Sequence, residues 1–537
     1  MADGSGLGDV YGATIERIKA QDGDKSRLGM AALMWISHAE RPLNADELCH
    51  ALAVRLGSTD FNVDNVPSIS TLVGCCQGLI TVDKGVSTVR LIHFTLQEYL
   101  SSHLDIFSKP HSAMAEICLT YLNSQQVKTL PTAPSTDTQS TPFLEYCSVY
   151  WGVHARREFS DCARLLALEL LKVHYNQIST KFLLAQVKHF RVYARHLTTL
   201  SPFSGLHCAS FFGIVDVAAG LIEMGHDINE GDFFGRTPLA WAAHNGHEEV
   251  VKLLLGRGEV DPDRLDIDGH TPLSLAAWDG HERVAKILLA REVVNPNKSN
   301  SNDQTPLSLA ASDGHEGVVR ILLEREEVNP DKPNKNGRAP LSYAAYYGHE
   351  GVVKILLERE EVDPDRPDTH DQTPLSLAAS GGHEGVVRIL LEREEVNPDK
   401  PNKNGQSPLS YAACYGHEGV VKILLEREEV DPDRPDTYHQ TPLSDAARGG
   451  HEGVVKMLLG KEEVNPDWSD NDGRTPLSLA ASFGHEGVVK TLLGREEVNP
   501  NKPGNDGQTP LSLATGSSYG RVVALLQSCQ VGTSNTV

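Results

Sequence analysis

Histidine recurs along the C-terminal two thirds of this 537-residue chain at a regular spacing, and imidazole is a common metal ligand and general base. Eight histidines follow one another in steps of 34 residues: His247, His281, His315, His349, His383, His417, His451 and His485. If each repeated unit contributes one histidine, neighbouring imidazoles lie about 10 Å apart, the diameter of a helix. One metal ion cannot bridge that distance, so the series predicts a recurring structural position and no metal site.

Patterns of catalysis and cofactor binding are also missing from the sequence. It contains no G-x-x-x-x-G-K-S/T loop for a triphosphate, no G-x-S-x-G nucleophile elbow and no H-E-x-x-H zinc helix. The nine cysteines are scattered without C-x-x-C spacing, which predicts free thiols in a reducing compartment. We therefore expect no enzyme, no cofactor, no metal and no small-molecule substrate.

A Thr-Pro pair, or a close variant, keeps the same 34-residue step as the histidines. The first residues of the pairs are Thr237, Thr271, Thr305, Ala339, Thr373, Ser407, Thr441, Thr475 and Thr509. A fixed period of this length indicates one supersecondary unit that cannot bury its apolar face alone and therefore stacks on its neighbours. Such arrays usually bind other proteins.

The unit beginning at Thr305 shows what each period should form. Thr305 is a helix N-cap, and Pro306 stands at the first helical position, where its missing N–H costs nothing. Gly314 then ends this first helix, and HEGVVRILLE after it has apolar residues at helical spacing. The pair Asn336 and Gly337 supplies a turn before the next cap. The sequence thus predicts two antiparallel helices followed by an extended finger.

This unit resembles the ankyrin repeat, with its TPLHxAA, GH and VVxLLL segments and its β-turn finger. It differs because serine replaces the histidine of TPLH and because each unit has 34 residues where the family has about 33. A degenerate unit at Ser204 to Gly213 precedes the regular ones, and the last unit has Ser518 and Tyr519 where the others have Gly-His. The resemblance implies an all-α solenoid of ten ankyrin repeats in which each imidazole hydrogen-bonds to turn backbone.

The first 200 residues have a different pattern. Residues 28–39, 43–54 and 66–80 predict three apolar helices, the second capped at Asn44, and residues 79–93 predict a two-stranded wing. Three helices followed by a two-stranded wing are the element order of a winged-helix domain. Residues 10–155 resemble the segment between the nucleotide-binding domain and the repeats of fungal NACHT-ankyrin proteins of the NOD-like signalling class. The NTPase of those relatives is not carried over, because the phosphate-binding loop is missing.

These patterns divide the chain into five predicted parts. They are a flexible N-terminal segment at 1–24, a winged-helix-like domain at 25–110, a helical region at 111–200 with a Ser/Thr/Pro-rich loop at 131–142, ankyrin repeats at 201–527 and a tail at 528–537. Neither a secretory signal nor a run of about 18 apolar residues is present. We therefore expect no membrane association and a cytoplasmic or nuclear location.

Acidic residues are concentrated in the repeats. Residues 1–200 hold 18 Lys and Arg against 19 Asp and Glu, so −22 of the net charge of −23 belongs to the rest of the chain. Such an array should repel nucleic acid. The third helix of the winged-helix-like domain has no Lys or Arg from Val66 to Ile80, so DNA reading is not expected. The acidity either solvates the fingers or steers a basic protein partner.

A doubled segment suggests where a partner binds. Residues 329–396 and 397–464 differ at eleven positions, and seven of these lie in fingers or first helices, including Leu377 against Asp445 and Ser380 against Arg448. The predicted partner-binding residues are Arg236, Trp278, Asp279, Asp313, Arg338, Tyr346, Tyr347, Tyr415, Arg448 and Phe483. We expect an intracellular scaffold or adaptor. The alternatives are a transcriptional co-regulator recruited by a DNA-bound partner, or a NOD-like signalling remnant that works with a separate NTPase.

Overall fold

A computed structural model describes residues 5–56, 58, 61–83, 85–130, 141–172, 179, 182–183 and 203–533. The chain forms two compact units, residues 1–268 and 269–537, and each is described by itself. Most of the predicted Ser/Thr/Pro-rich loop and most of the segment from 173 to 202 lie outside the described residues.

The N-terminal unit begins with helices and a small sheet in the predicted winged-helix order. The elements are α1 (Ser5–Lys19), α2 (Gly23–His38), α3 (Ala45–Ala53), α4 (Ile69–Cys75), β1 (Ile80–Val82), β2 (Val89–Leu91) and α5 (Phe94–Ser102). Asn44 caps α3 through a reciprocal capping box with Glu47, which confirms the predicted helix start. The two strands pair antiparallel, with Ile80 opposite Leu91, and form the predicted wing.

The predicted flexible segment at 1–24 is wrong, because most of it is helix α1. Tyr11, Ile15 and Ile18 recur at intervals of four and three residues along this helix, and all three side chains are buried. The Tyr11 hydroxyl also lies 2.8 Å from the Thr95 hydroxyl of α5. Tertiary packing of this apolar face therefore orders a segment whose glycine-rich beginning suggests flexibility.

Four helices follow α5 in the N-terminal unit. They are α6 (Pro110–Asn123), α7 (Gln125–Lys128), α8 (Leu144–Arg157) and α9 (Asp161–Leu171). Helix α6 packs against both α8 and α9. The indole of Trp35 meets the Phe143 ring edge-on at 5.4 Å, and both side chains are fully buried. Aromatic packing thus joins the winged-helix-like part to the helices that come after it.

Helix pairs occupy the chain from residue 205 onward. The first helices are Gly205–Phe212, Pro238–His244, Pro272–Trp278, Pro306–Asp313, Pro340–Tyr347, Pro374–Gly381, Pro408–Tyr415, Pro442–Gly449, Pro476–Phe483 and Pro510–Gly516. The second helices are Val215–Glu223, Glu248–Leu255, Glu282–Leu289, Glu316–Leu323, Glu350–Leu357, Glu384–Leu391, Glu418–Leu425, Glu452–Leu458, Glu486–Leu493 and Gly520–Thr533. The last helix reaches residue 533, so the tail predicted from residue 528 is wrong.

The caps of the pairs follow the sequence signals. The Thr305 hydroxyl accepts a hydrogen bond from the backbone N–H of Ser308, and Pro306 occupies the first helical turn. Gly314 ends this helix with φ of +78°, in the left-handed region. Val318 and Leu322 of the following helix are fully buried, as their helical spacing predicts.

Within each of the two units, the recurring histidine connects a helix pair to the one before it. Nε2 of His349 lies 2.9 Å from the carbonyl oxygen of Ser312, and its ring packs on Gly314 so closely that a Cβ there would lie 2.6 Å from Nδ1. Equivalent hydrogen bonds join His315 to Trp278 and His383 to Tyr346. The predicted bond between imidazole and turn backbone is confirmed for these histidines, and it spans two units.

The second helices contact one another through a glutamate and a glycine. A Cβ added to Gly351, in the first turn of its helix, would lie 1.7 Å from Oε1 of Glu316, which begins the preceding second helix. Gly385 has the same relation to Glu350. The carboxylate thus lies against the positive end of the next helix, where it stabilises the helix dipole. Glycine is required because any side chain would displace that carboxylate.

The fingers are held by side-chain to backbone bonds and by ion pairs. Oδ1 of Asn334 accepts from the N–H groups of Asn336 and Arg338, which fixes the finger turn. Acid and base side chains 35 residues apart also form a ladder between successive fingers. Its rungs join Asp331 to Arg366 at 2.5 Å, Asp365 to Lys400 at 2.9 Å, Asp399 to Arg434 at 2.6 Å and Asp467 to Lys502 at 3.2 Å.

Deleting residues 363–430 should leave a folded protein, because this segment of 68 residues is two periods and the same DPDRPDT sequence follows both junction points. Each pair contacts only its neighbours, so the new interface joins equivalent helices and caps, with Asp445 and Arg448 in place of Leu377 and Ser380. Circular dichroism should show unchanged helicity per residue, and size exclusion should show a soluble protein. Deleting residues 363–413, one and a half periods, is the control: it leaves the second helix Glu418–Leu425 without its first helix, so helicity per residue and solubility should fall. Equal behaviour of the two deletions would contradict the proposed register.

Candidate partner-binding surface

Large aromatic side chains project into solvent at the C-terminal ends of alternate first helices. Tyr347, Tyr415 and Phe483 are 51%, 56% and 52% exposed, and they follow one another at steps of 68 residues. Each ring is inclined by 16° to 31° to the imidazole two residues later, with centroids 6.2 to 6.3 Å apart. The intervening units have Gly381 and Gly449 at the same position. The surface therefore alternates between an aromatic ring and a position without a side chain.

A second group of predicted residues surrounds Tyr347. The guanidinium of Arg338 lies 5.5 Å above the ring of Tyr346, whose centroid is 4.9 Å from that of Tyr347. Nε of Arg338 is 3.2 Å from Oδ2 of Asp368 in the next finger, which holds the arginine in this position. The structure thus brings together Arg338, Tyr346 and Tyr347 as a half-exposed cation and aromatic cluster.

The second copy of the doubled segment replaces this cluster with a different one. Cys414 stands where the first copy has Tyr346, and Asp445 and Arg448 stand where it has Leu377 and Ser380. Asp445 is only 4% exposed, and its Oδ2 has no hydrogen-bond partner among the described residues. Burial raises the pKa of Asp445 to about 7, although Arg448 lies 3.7 Å away. Arg448 instead donates a hydrogen bond to Gln440.

Sequence reasoning did not select Asp445, and it also missed Tyr438, which is 61% exposed in a finger. Both are among the eleven positions at which the doubled segments differ. Comparing the two copies could have pointed to both residues, because Tyr438 replaces His370 and Asp445 replaces Leu377.

The remaining predicted residues have different environments. Asp313 is exposed, whereas Trp278 and Asp279 are half-buried and the Trp278 ring stacks on His270 at 5.1 Å. Arg236 is 2% exposed, so its place among the partner-binding candidates is wrong for this structure. Its Nε lies 3.2 Å from Oδ2 of Asp266, and its guanidinium lies 5.0 Å from the Trp241 ring. The ion pair with Asp266 compensates the burial of the Arg236 charge.

Comparisons with known proteins agree with the helix pairs and their caps. The chain belongs to the ankyrin repeat family, because residues 206–300, 291–368, 360–436 and 443–535 match the family described as Ankyrin repeats (3 copies). Ankyrin repeats are a protein-interaction module. Residues 16–111 match the family described as GPI inositol-deacylase, winged helix domain, which confirms the winged-helix prediction.

A similarity of limited extent was found among curated proteins. The human transient receptor potential cation channel subfamily A member 1 is 41% identical over 66 residues, which are 12% of this chain. This chain spans only 6% of the length of that channel. No helix in the described part of the chain has the length and apolar character needed to cross a bilayer.

Replacing Asp445 with leucine should stabilise the protein at pH 8. The folded-state pKa of about 7 lies above the value of about 3.9 expected in the unfolded chain. The free energy of unfolding therefore falls as the pH rises from about 4 to about 7, because the unfolded state ionises more readily. We expect Asp445→Leu to gain about 1 to 3 kcal/mol at pH 8 and clearly less at pH 5. Urea unfolding at both pH values measures this gain.

Asp313→Leu is the matched control, because Asp313 is an exposed aspartate near the end of a first helix. Its effect should be within about 0.5 kcal/mol at either pH. An Asp445→Leu variant that is less stable than the wild type at pH 8, or equally changed at both pH values, would contradict the assigned burial.

Proposed function

We propose that this chain is a non-enzymatic intracellular scaffold or adaptor, built on ten ankyrin repeats, that binds a protein partner on its fingers and first helices. The observation that carries this proposal is the exposed row of Tyr347, Tyr415 and Phe483. Aromatic side chains dominate the binding energy of protein interfaces, and a folded protein gains little from leaving them in water.

The two sides of the helix pairs differ in chemistry, which supports this choice of surface. Lys354 and Lys422 are exposed on second helices of the same repeats that carry Tyr347 and Tyr415 on their first helices. Four of the eleven differences between the doubled segments lie on or just after second helices, and most are mild, such as Arg388 against Lys456. Larger changes in side-chain chemistry fall on the other side, where a partner would detect them.

The charge of the repeats favours a basic partner over nucleic acid. EREEV segments follow the second helices of the central repeats, and Glu360 and Glu361 are exposed in one of them. Lysine and arginine side chains of a partner would find complementary potential here, whereas phosphates would be repelled.

The winged-helix match favours a second candidate, a remnant of NOD-like signalling that assembles with a separate NTPase. In this proposal the N-terminal unit packs against another protein and does not read DNA. Helix α4 has no Lys or Arg, so it has no cation for phosphate or base contacts. ATP-dependent co-assembly with a second chain would favour this candidate.

The test is capture of the partner by full-length variants. Affinity purification with mass spectrometry first identifies the partner, and binding is then measured by surface plasmon resonance. Tyr347→Ala, Tyr415→Ala and Phe483→Ala should each weaken binding by about 1 to 2 kcal/mol, because truncation removes a contact at the interface centre. Added salt should weaken binding of a basic partner further, since exposed charge pairs are screened beyond about 8 to 10 Å.

Lys354→Ala and Lys422→Ala are the controls, since they change the opposite side of the same repeats. Their binding should match that of the wild type, and circular dichroism should show full helicity for every variant. Equal losses on both sides would refute the proposed surface, and salt-independent binding would refute the basic partner.

A further inference from the structure

We propose that Glu40, His111 and His154 form a binding site for a divalent transition-metal ion, with Zn²⁺ as the best match. The three residues lie in the N-terminal unit, just after the end of α2, at the start of α6 and within α8. This site is independent of the partner-binding surface, and it needs no cysteine.

The candidate ligand atoms are already close together. Nδ1 of His111 lies 2.9 Å from Nδ1 of His154, which is 3.9 Å from Oε1 of Glu40. All three atoms lie within 4.8 Å of one another. Ligand atoms of a tetrahedral zinc ion are about 3.3 Å apart, because zinc to nitrogen distances are about 2.0 to 2.1 Å. Movements of about 1 to 1.5 Å would complete three corners of such a site.

Neighbouring groups orient the ligands as metal sites require. The hydroxyl of Tyr146 lies 2.9 Å from Nε2 of His154 and accepts a hydrogen bond from the backbone N–H of Glu40. In the tautomer with the proton on Nε2, His154 donates a hydrogen bond to the Tyr146 hydroxyl. Its Nδ1 then has a lone pair free for a metal ion, on the side of Glu40 and His111. In metal sites, a hydrogen-bond acceptor on the other ring nitrogen fixes the tautomer and the ring position of a metal-bound histidine. His154 is fully buried, so its ring cannot turn away.

The ligand set selects the class of ion. Two imidazole nitrogens and one carboxylate oxygen suit zinc and related divalent ions, whereas calcium and magnesium prefer oxygen alone. Three protein ligands leave a fourth position for water. Glu40 and His111 are half-buried, so an ion can reach the site from solvent.

Arg157 competes for the same carboxylate. Its Nη1 lies 2.6 Å from Oε1 of Glu40 and 3.4 Å from Nε2 of His111. A metal ion must displace this guanidinium from Oε1, and its positive charge opposes a second cation nearby. The Arg157 side chain is half-exposed and can move into solvent. The arginine therefore weakens metal binding, and its removal should strengthen it.

The experiment is a titration of the chelator-treated full-length protein with Zn²⁺ by calorimetry. Wild type should bind one ion per chain, and Co²⁺ in its place should give the visible absorption of a four-coordinate site. His111→Gln and Glu40→Gln should each weaken binding at least about tenfold, because each removes one of three ligands. Arg157→Gln should tighten binding about tenfold, because it removes the competing cation.

His439→Gln is the matched control, an exposed histidine in a finger of the C-terminal unit, and it should bind zinc as wild type does. Circular dichroism checks that each variant is folded. The proposal is overturned if neither wild type nor Arg157→Gln binds zinc, or if His111→Gln and Glu40→Gln bind it as wild type does. Weaker binding by Arg157→Gln would also overturn it, because the arginine would then support the ion.

Discussion

The contact between an imidazole and the end of the preceding first helix is the constraint on which the stacking of repeats within each unit depends. The ring of His349 occupies the space that a side chain at Gly314 would fill, while its Nε2 reaches the Ser312 carbonyl. The glycine also needs its positive φ to end the helix, so one residue meets a packing requirement and a backbone requirement together. Tyr519 packs on Gly484 in the same position, so a phenol replaces imidazole where the series ends.

Local signals made much of the fold predictable. Threonine before proline marks the starts of first helices, and period 3.6 marks the buried sides of the helices. Contacts between residues far apart in the chain were not predictable in this way. The glycine at position 351 looks unfavourable in a helix until Glu316, 35 residues earlier, is seen lying against it. Helix α1 was missed for a similar reason, because its order depends on packing that no local pattern reveals.

The candidate surface was partly accessible from sequence. Tyr347, Tyr415 and Phe483 each precede a turn glycine and histidine that end the helix there, so their exposure could be expected. Arg236 could not be judged from its type, because a charged residue is buried only when a partner such as Asp266 meets it. Asp445 was named only as a difference between the doubled segments, and its burial was not expected from an aspartate.

The finger ladder lacks a cation opposite Asp433. Trp468 stands where a cation would face Asp433, and its indole N–H donates to the carbonyl of His439 instead. Burial raises the pKa of Asp433 to about 6. The hydrogen bond that its carboxylate accepts from the backbone N–H of Asn465 lowers the pKa, but by less than burial raises it. Electrostatic support between fingers is therefore reduced next to the second copy of the doubled segment, where Asp445 is also buried.

The alternation of aromatic rings and glycines has a consequence for how such a protein changes over time. Gain or loss of 68 residues adds or removes one complete aromatic position and leaves helix register intact. A partner with several equally spaced anchors would respond to each event with a stepwise change in avidity, since every added position raises the effective local concentration of the others. For a partner bound on the aromatic row, binding strength would follow the number of modules, in units of two repeats.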